Sequence, residues 1–349
     1  RPDLPRHIGD DVESDVVDAL VDSVSNRFDI ARRFYKLKAA LMGVKKLKYH
    51  ERNVPYGKID KKYSFNDAAN LVYKVFKNLD KKFADIFLRF INNGQMDIYP
   101  KRGKEDGALC FYNLMSQPTY ILLNYTDKLN DVINLAHELG HGINNELMKE
   151  KQNSLNFGTS IATAEAASVF TEEFVLKEVS KSAGDELKLA IMMTKLNNDV
   201  SATFRQIALY KFEQELHKNF RQKGHLSKEE IGKLFRKHMS SYMGSGIEMS
   251  PGSENWWIYW GHIRRFFYAY SYASGFLISK SLQSSVKKDP TFIEKIKEFL
   301  SAGRSDSPKN IFRKLAIDIT QKEFWNKGLD EMENLLRNTV KLAKKLKKI

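Results

Sequence analysis

His137 and His141 stand four residues apart in the pentapeptide His137-Glu138-Leu139-Gly140-His141, within an apolar run of Val132, Ile133, Leu135, Ala136 and Leu139. Apolar positions at this spacing bury one stripe of an α-helix. Residues four apart share a helix face, so both imidazoles can reach one cation. Glu138 then sits beside the coordination position that the histidines leave open. Gly140 is small, which suits close packing there. An extended run, Thr119 to Tyr125, ends just upstream and is rich in residues that favour strands, making it a wall for an extended peptide.

A catalytic zinc takes three protein ligands and keeps one position open. Cys110 is the only cysteine, so neither a cysteine-built zinc site nor an intramolecular disulfide is available. His7, His50, His217, His225 and His238 are isolated and read as surface or structural residues. The third ligand expected is Glu165, which lies in the run Ile161 to Phe170, too apolar for a solvated face. A carboxylate there needs a partner, and zinc is one. Ala164, Ala166 and Ala167 allow the two helices to approach closely. Glu172, two helical turns further on, reads equally as a carboxylate holding the other nitrogen of a ligand histidine or as a solvated charge.

His262 belongs to an aromatic segment from Trp256 to Gly275 that includes Tyr268, Tyr270 and Tyr272. Three tyrosines at alternate positions cannot all lie on one helix face, so some hydroxyls point into a cavity. Metal-assisted peptide hydrolysis needs a donor to the developing oxyanion, and tyrosine or histidine can supply it.

Helical periodicity dominates the rest of the chain. Helices are expected over about 12–42, from the N-cap Ser64 to the stop at Asn93-Gly94, from Asp127 through His137, and over Thr159 to Ser180. Further helices are expected over Asp185 to Phe220, after the capping box of Ser227 and Glu230, over Gly261 to Leu282, over Pro290 to Leu300, and from Gln321 onward. Strand signals are confined to Met96–Tyr125. The expectation is a mainly α chain, one domain over 1–349: helical over 1–95, a small sheet over 96–126, and a helical metal-binding region over 127–349.

The formal net charge is +14, but the lysines are scattered apart from the cluster near the C-terminus, and no nucleic-acid signature accompanies them. They read as a solvated surface, with no specific nucleic-acid partner. No run approaches the roughly 18 apolar residues of a membrane span. The opening residues do not read as a signal peptide. They also lack an initiator Met, and the chain reads as starting inside a longer gene product. One cysteine and no leader point to the cytoplasm.

Together these segments resemble the family of oligoendopeptidase F and thimet oligopeptidase, the oligoendopeptidase F branch in particular. The resemblance rests on His137–His141, on Glu165 with Ser168 and Glu172, and on His262 followed by Phe267 through Gly275. Gly244-Ser245-Gly246, Phe299–Gly303, and Asp318 through Trp325 also carry it. It implies a multi-helix zincin-like catalytic domain with a small sheet before the motif helix, one Zn2+ on His137, His141 and Glu165, and Glu138 as the base acting on metal-bound water. His262, Tyr268 and Tyr270 would be the substrate and transition-state donors, with the choice between the two tyrosines open. Thr119–Tyr125 would be the edge strand pairing with substrate, beside a loop containing Gly107-Ala108. The family often has a second histidine three positions past the motif, where this chain has Asn144. The resemblance also implies a further N-terminal half in full-length relatives, most of which would lie outside this sequence.

The implied activity is zinc-dependent hydrolysis of internal bonds in short oligopeptides. One alternative is a zinc peptidase that trims peptide ends, with Arg264 or Arg265 fixing a terminal carboxylate. Another is a non-catalytic peptide-binding module that retains its metal. Cleavage preference and oligomeric state are not encoded legibly.

Overall fold

The structure, a computed structural model, describes residues 1–8, 10–265 and 267–349. The chain is mostly helical, as the periodicity predicts. It divides into two compact units: residues 1–58, 184–277 and 318–349 form the first, and residues 59–183 and 278–317 the second.

The first unit is built on helices Ser14–Asn26, Phe28–Leu41, Asp185–Val200, Gln206–Lys223, Lys228–Met243 and Lys322–Lys345. The single run expected over 12–42 breaks at Arg27, which leaves helical geometry at φ −113° and ψ 21°. The Arg27 guanidinium reaches Asp330 and Glu333 of the last helix. Phe28, Phe34, Phe204, Tyr210, Phe212, Tyr242 and Trp325 are buried in this unit's core. Between Val200 and Gln206 the helix widens into a π-helical turn, Ser201–Arg205. Leu47–Lys48 pairs in parallel with Ile247–Glu248, a contact between distant segments that local patterning does not signal. Gly246 is required there: a Cβ would lie 2.9 Å from both Lys36 N and Tyr35 C, main-chain atoms of helix Phe28–Leu41.

The expected helix over Gly261–Leu282 is shorter and starts later. A 3-10 turn covers Gly261–Arg264, Phe267 is left-handed (φ 59°), and the helix runs from Tyr270 to Lys288. Phe266, within that expectation, lies outside the described residues. A left-handed phenylalanine cannot continue a right-handed helix, so the segment turns first.

In the second unit, helices Phe65–Leu79 and Lys81–Asn92 replace the one run expected from Ser64. Asp80 is extended (φ −161°) and caps the second helix by accepting the Lys82 amide. Ser64 caps the first, as its sequence context predicts. Helix Leu129–Lys151 carries the histidine motif and helix Ile161–Lys181 carries Glu165. Ile293–Ser301 packs on the motif helix, and Pro308–Lys314, capped by Ser307, was not expected from the sequence.

The small sheet has three strands in the order Met96–Asp97, Tyr120–Leu122, Leu109–Phe111. The first pair is parallel (Met96 opposite Ile121) and the second antiparallel (Cys110 opposite Ile121). This corrects the expectation for Thr119–Tyr125. The extended core of that segment, Tyr120–Leu122, is the central strand, with both edges already paired, so it cannot take a further strand. The free edge that follows the Gly107-Ala108 loop belongs to Leu109–Phe111.

Candidate active site

Helix Leu129–Lys151 buries Val132, Leu135, Ala136, Leu139, Ile143 and Leu147 on one side. Its N-terminus is held by Asp131, whose Oδ2 accepts the amides of Thr126 (2.7 Å) and Lys128 (3.0 Å). The helix packs against Ile161–Lys181 at very short range. A Cβ on Gly140 would lie 2.6 Å from Ser168 Cα and 2.7 Å from Ala167 O, so the glycine is what allows these two backbones to meet. Its smallness therefore serves the helix contact. Thr171 Oγ1 donates to Ala136 O across the same contact (2.7 Å).

That approach brings Glu165 to the histidine face. Its Oε2 lies 3.5 Å from His137 Nε2 and 3.7 Å from His141 Nε2. One ligand atom from each of the three residues falls within 4.8 Å of the others. Donors about 2 Å from a four-coordinate ion lie roughly 3.3 Å apart, so two imidazole nitrogens and a carboxylate oxygen are placed to hold a divalent ion with only slight adjustment. All three side chains are partly exposed, which leaves the site accessible.

The surrounding groups orient this set. His137 Nδ1 is hydrogen-bonded to Glu172 Oε1, which turns Nε2 toward Glu165. Ser168 Oγ donates to Glu165 Oε2 (3.0 Å). Burial alone would lower the His137 pKa, but the bond to Glu172 and the charges of Glu172, Glu165 and Glu138 outweigh it and hold the imidazolium to about 9. His141 is pushed below its ordinary value by burial and by the charge on His137, whose ring centroid is 4.9 Å away. A ligand imidazole must be neutral, so a cation held here would displace the proton on His137.

Glu138 is 6% exposed and does not join the ligand triad. Burial pushes its carboxyl up to about 7, against the pull of the His137 charge, and it accepts the Cys110 main-chain N–H. The sequence gives no hint of that bond, because it depends on which main-chain groups of Leu109–Phe111 face away from the central strand. Asn144 does not turn toward the histidines: its Nδ2 donates to Leu300 O, tying the motif helix to Ile293–Ser301.

In the first unit, His262 stacks on Tyr268 (centroids 5.2 Å, planes 9° apart) and lies 5.4 Å from Tyr272. The two tyrosine hydroxyls are 2.9 Å apart. The pKa of His262 is lowered by burial, then by Arg205 and Arg265. Tyr270 is separated from this group. It is 1% exposed and its hydroxyl donates to Asp10 Oδ2 (2.6 Å), so it is not free to meet a substrate. Tyr272, which sequence reasoning did not select, takes its place in the cluster; its spacing of four from Tyr268 was the available signal. Arg264 donates to the carbonyls of Trp260 and Ile258.

Residues 22–331 match peptidase family M3. The chain is 25% identical over 340 residues to the group B oligopeptidase PepB of Streptococcus agalactiae, covering 94% of this chain and 56% of that protein. It is 26% identical to oligopeptidase PepF of Bacillus subtilis, covering 93% of this chain and 50% of the relative. The chain thus spans about half the length of the curated relatives it matches. Among solved structures, a Chlamydophila abortus protein superposes with a TM-score of 0.87 at 24% identity, over 95% of this chain and 56% of that one. Oligoendopeptidase F of Enterococcus faecium gives 0.71 at 19%, over 96% and 54%. With a match over most of its length and a two-histidine, one-glutamate cluster on adjoining helices, the chain belongs to peptidase family M3, a family of metallopeptidases.

Proposed function

We propose that this chain carries the catalytic centre of a zinc-dependent endopeptidase that hydrolyses internal bonds of short oligopeptides. The observation that supports it most is the convergence of His137, His141 and Glu165 beside the buried Glu138. In this reading those three residues hold one zinc ion. When bound, zinc supplies a Lewis acid that polarises the scissile carbonyl and makes water acidic enough to attack near neutral pH. Glu138, buried beside the ligand set, takes the proton of the attacking water and delivers it to the leaving amine. His262 and Tyr268, with Tyr272 beside them, are the proposed donors to the substrate and the developing oxyanion, a role carried over from the resemblance. The outer edge of Leu109–Phe111 is the proposed platform for an extended peptide, through the Cys110 carbonyl, since the Cys110 N–H faces Glu138.

Of the two arginines in the end-trimming alternative, Arg264 has its guanidinium committed to main-chain carbonyls, which leaves that reading resting on Arg265. A cytoplasmic location belongs to the same proposal; among the described residues no helix is long and apolar enough to cross a membrane.

The test is cleavage of a short, end-blocked, internally quenched peptide with zinc present, by the unaltered chain and by Glu138→Gln. The proposal expects internal cleavage by the first alone, with zinc retained by both. Equal cleavage by Glu138→Gln would remove the assigned base. Zinc binding without turnover by the unaltered chain would favour the peptide-binding alternative.

A further inference from the structure

Phe267 has a left-handed backbone (φ 59°) and is buried. Among the described residues, Asp127, Ala316 and Lys347 are the other non-glycine positions of this kind, and none of them is buried. A bulky residue rarely adopts this region, and it persists there only where surrounding contacts fix it. Glycine would adopt the same φ more readily, so what phenylalanine brings to the position is its ring.

That ring sits in an aromatic socket. It lies 4.7 Å from the His217 ring and, edge-on, 6.4 Å from that of Tyr210. Both belong to helix Gln206–Lys223, seven residues and so about two turns apart on one face. Tyr210 is fully buried, its ring meets that of Tyr270 at 5.4 Å, and its hydroxyl donates to the buried Asp3. The socket is thus held from both sides.

The next residue faces the other way. Phe267, Ala269 and Tyr270 are buried, whereas Tyr268 is half-buried, stacks on His262 and pairs with the Tyr272 hydroxyl. One planar peptide joins Phe267 to Tyr268, so freeing the backbone at Phe267 moves the Tyr268 ring relative to His262. We propose that Phe267 is a positioning residue: its ring, seated against Tyr210 and His217, fixes the turn that presents Tyr268 to His262 and to substrate. The kinetic consequence rests on the proposed peptidase reading, whereas the stack itself does not.

Kinetics on an end-blocked peptide, with zinc affinity measured alongside, test the role. Phe267→Ala is expected to lower kcat about 10- to 100-fold while KM and zinc affinity stay within about twofold, as for a reacting group displaced by about 1 Å. Phe267→Leu, which refills the socket, should recover most of the loss. In a Tyr268→Phe background, Phe267→Ala should cost no further kcat, whereas mere destabilisation would cost the same factor in both backgrounds. Undiminished kcat in Phe267→Ala, or an equal loss in both backgrounds, overturns the proposal. His217→Ala opens the socket from its half-buried side and should act in the same direction, which keeps the test available if Phe267→Ala does not fold. Histidine NMR needs no turnover. The Tyr268 ring displaces the His262 Cε1 proton signal, Tyr268→Ala removes that displacement, and Phe267→Ala and His217→Ala are expected to diminish it. Absence of turnover in the unaltered chain would count against the peptidase reading; a His262 signal unmoved by the socket variants would overturn the role of Phe267.

Discussion

His137 Nδ1 and Glu172 Oε1 are hydrogen-bonded partners, although 35 residues and a change of helix separate them. The sequence left Glu172 undecided between this role and a solvated charge. The contact between helices Leu129–Lys151 and Ile161–Lys181 resolves it, because it sets which face of the second helix the histidine meets.

Glu172→Ala should therefore loosen the metal without removing a ligand. Competition with a chelator is expected to show zinc affinity about 10–100-fold lower, with turnover recovering at high zinc. Unchanged affinity would mean that the bond does not orient His137.

Gly140→Ala tests the helix contact itself. The added methyl meets main-chain atoms of Ser168 and Ala167, which cannot rotate away. A loss of roughly 1–3 kcal/mol in unfolding free energy is expected, together with weaker zinc binding. A variant with the Tm and zinc affinity of the unaltered chain would contradict the described approach.

The two tyrosines should separate by readout. Tyr268→Phe is expected to lower kcat about 100- to 1000-fold with little change in Tm. Tyr270→Phe withdraws a buried hydrogen bond from Asp10 and is expected to lower stability by about 1–3 kcal/mol while largely sparing kcat. The reverse pattern would reassign the donor.

Metal uptake should depend on pH with a definite sign. The metal-free protein holds the His137 proton to about 9, whereas a ligand imidazole must be neutral. Binding below that pH releases a proton, so calorimetry or competition should show zinc affinity rising with pH and levelling near 9. The same raised pKa stabilises the metal-free fold fully below the unfolded value of about 6.5. That contribution is lost as pH rises through 9, so Tm of the metal-free protein should fall over that window. Affinity independent of pH between 6 and 9, both being rough bounds on the titration, would refute the coupling.

The helices were legible because their signals are local: the apolar stripe around His137, the caps Ser64 and Ser227. The breaks at Arg27 and Asp80 were not, since the runs on either side share one period. The sheet was located correctly but its order was not, because strand adjacency is settled by partners far away in sequence; Thr119–Tyr125 looked like an edge and its core lies in the centre. His137, His141 and Glu165 could be selected from chemistry alone. The burial of Tyr270 could not be foreseen, because its hydroxyl is held by Asp10, some 260 residues upstream. Phe267 adds a second obstacle, its left-handed backbone resetting the helix phase just before the tyrosines.

The histidines, Glu165, Glu138 and the Cys110 amide all fall in one compact unit, while the His262, Tyr268 and Tyr272 cluster falls in the other. Under the proposed function, ion holding and oxyanion donation would then be separable: substitutions confined to Tyr268 or Tyr272 would slow peptide turnover while leaving the ion-holding unit intact.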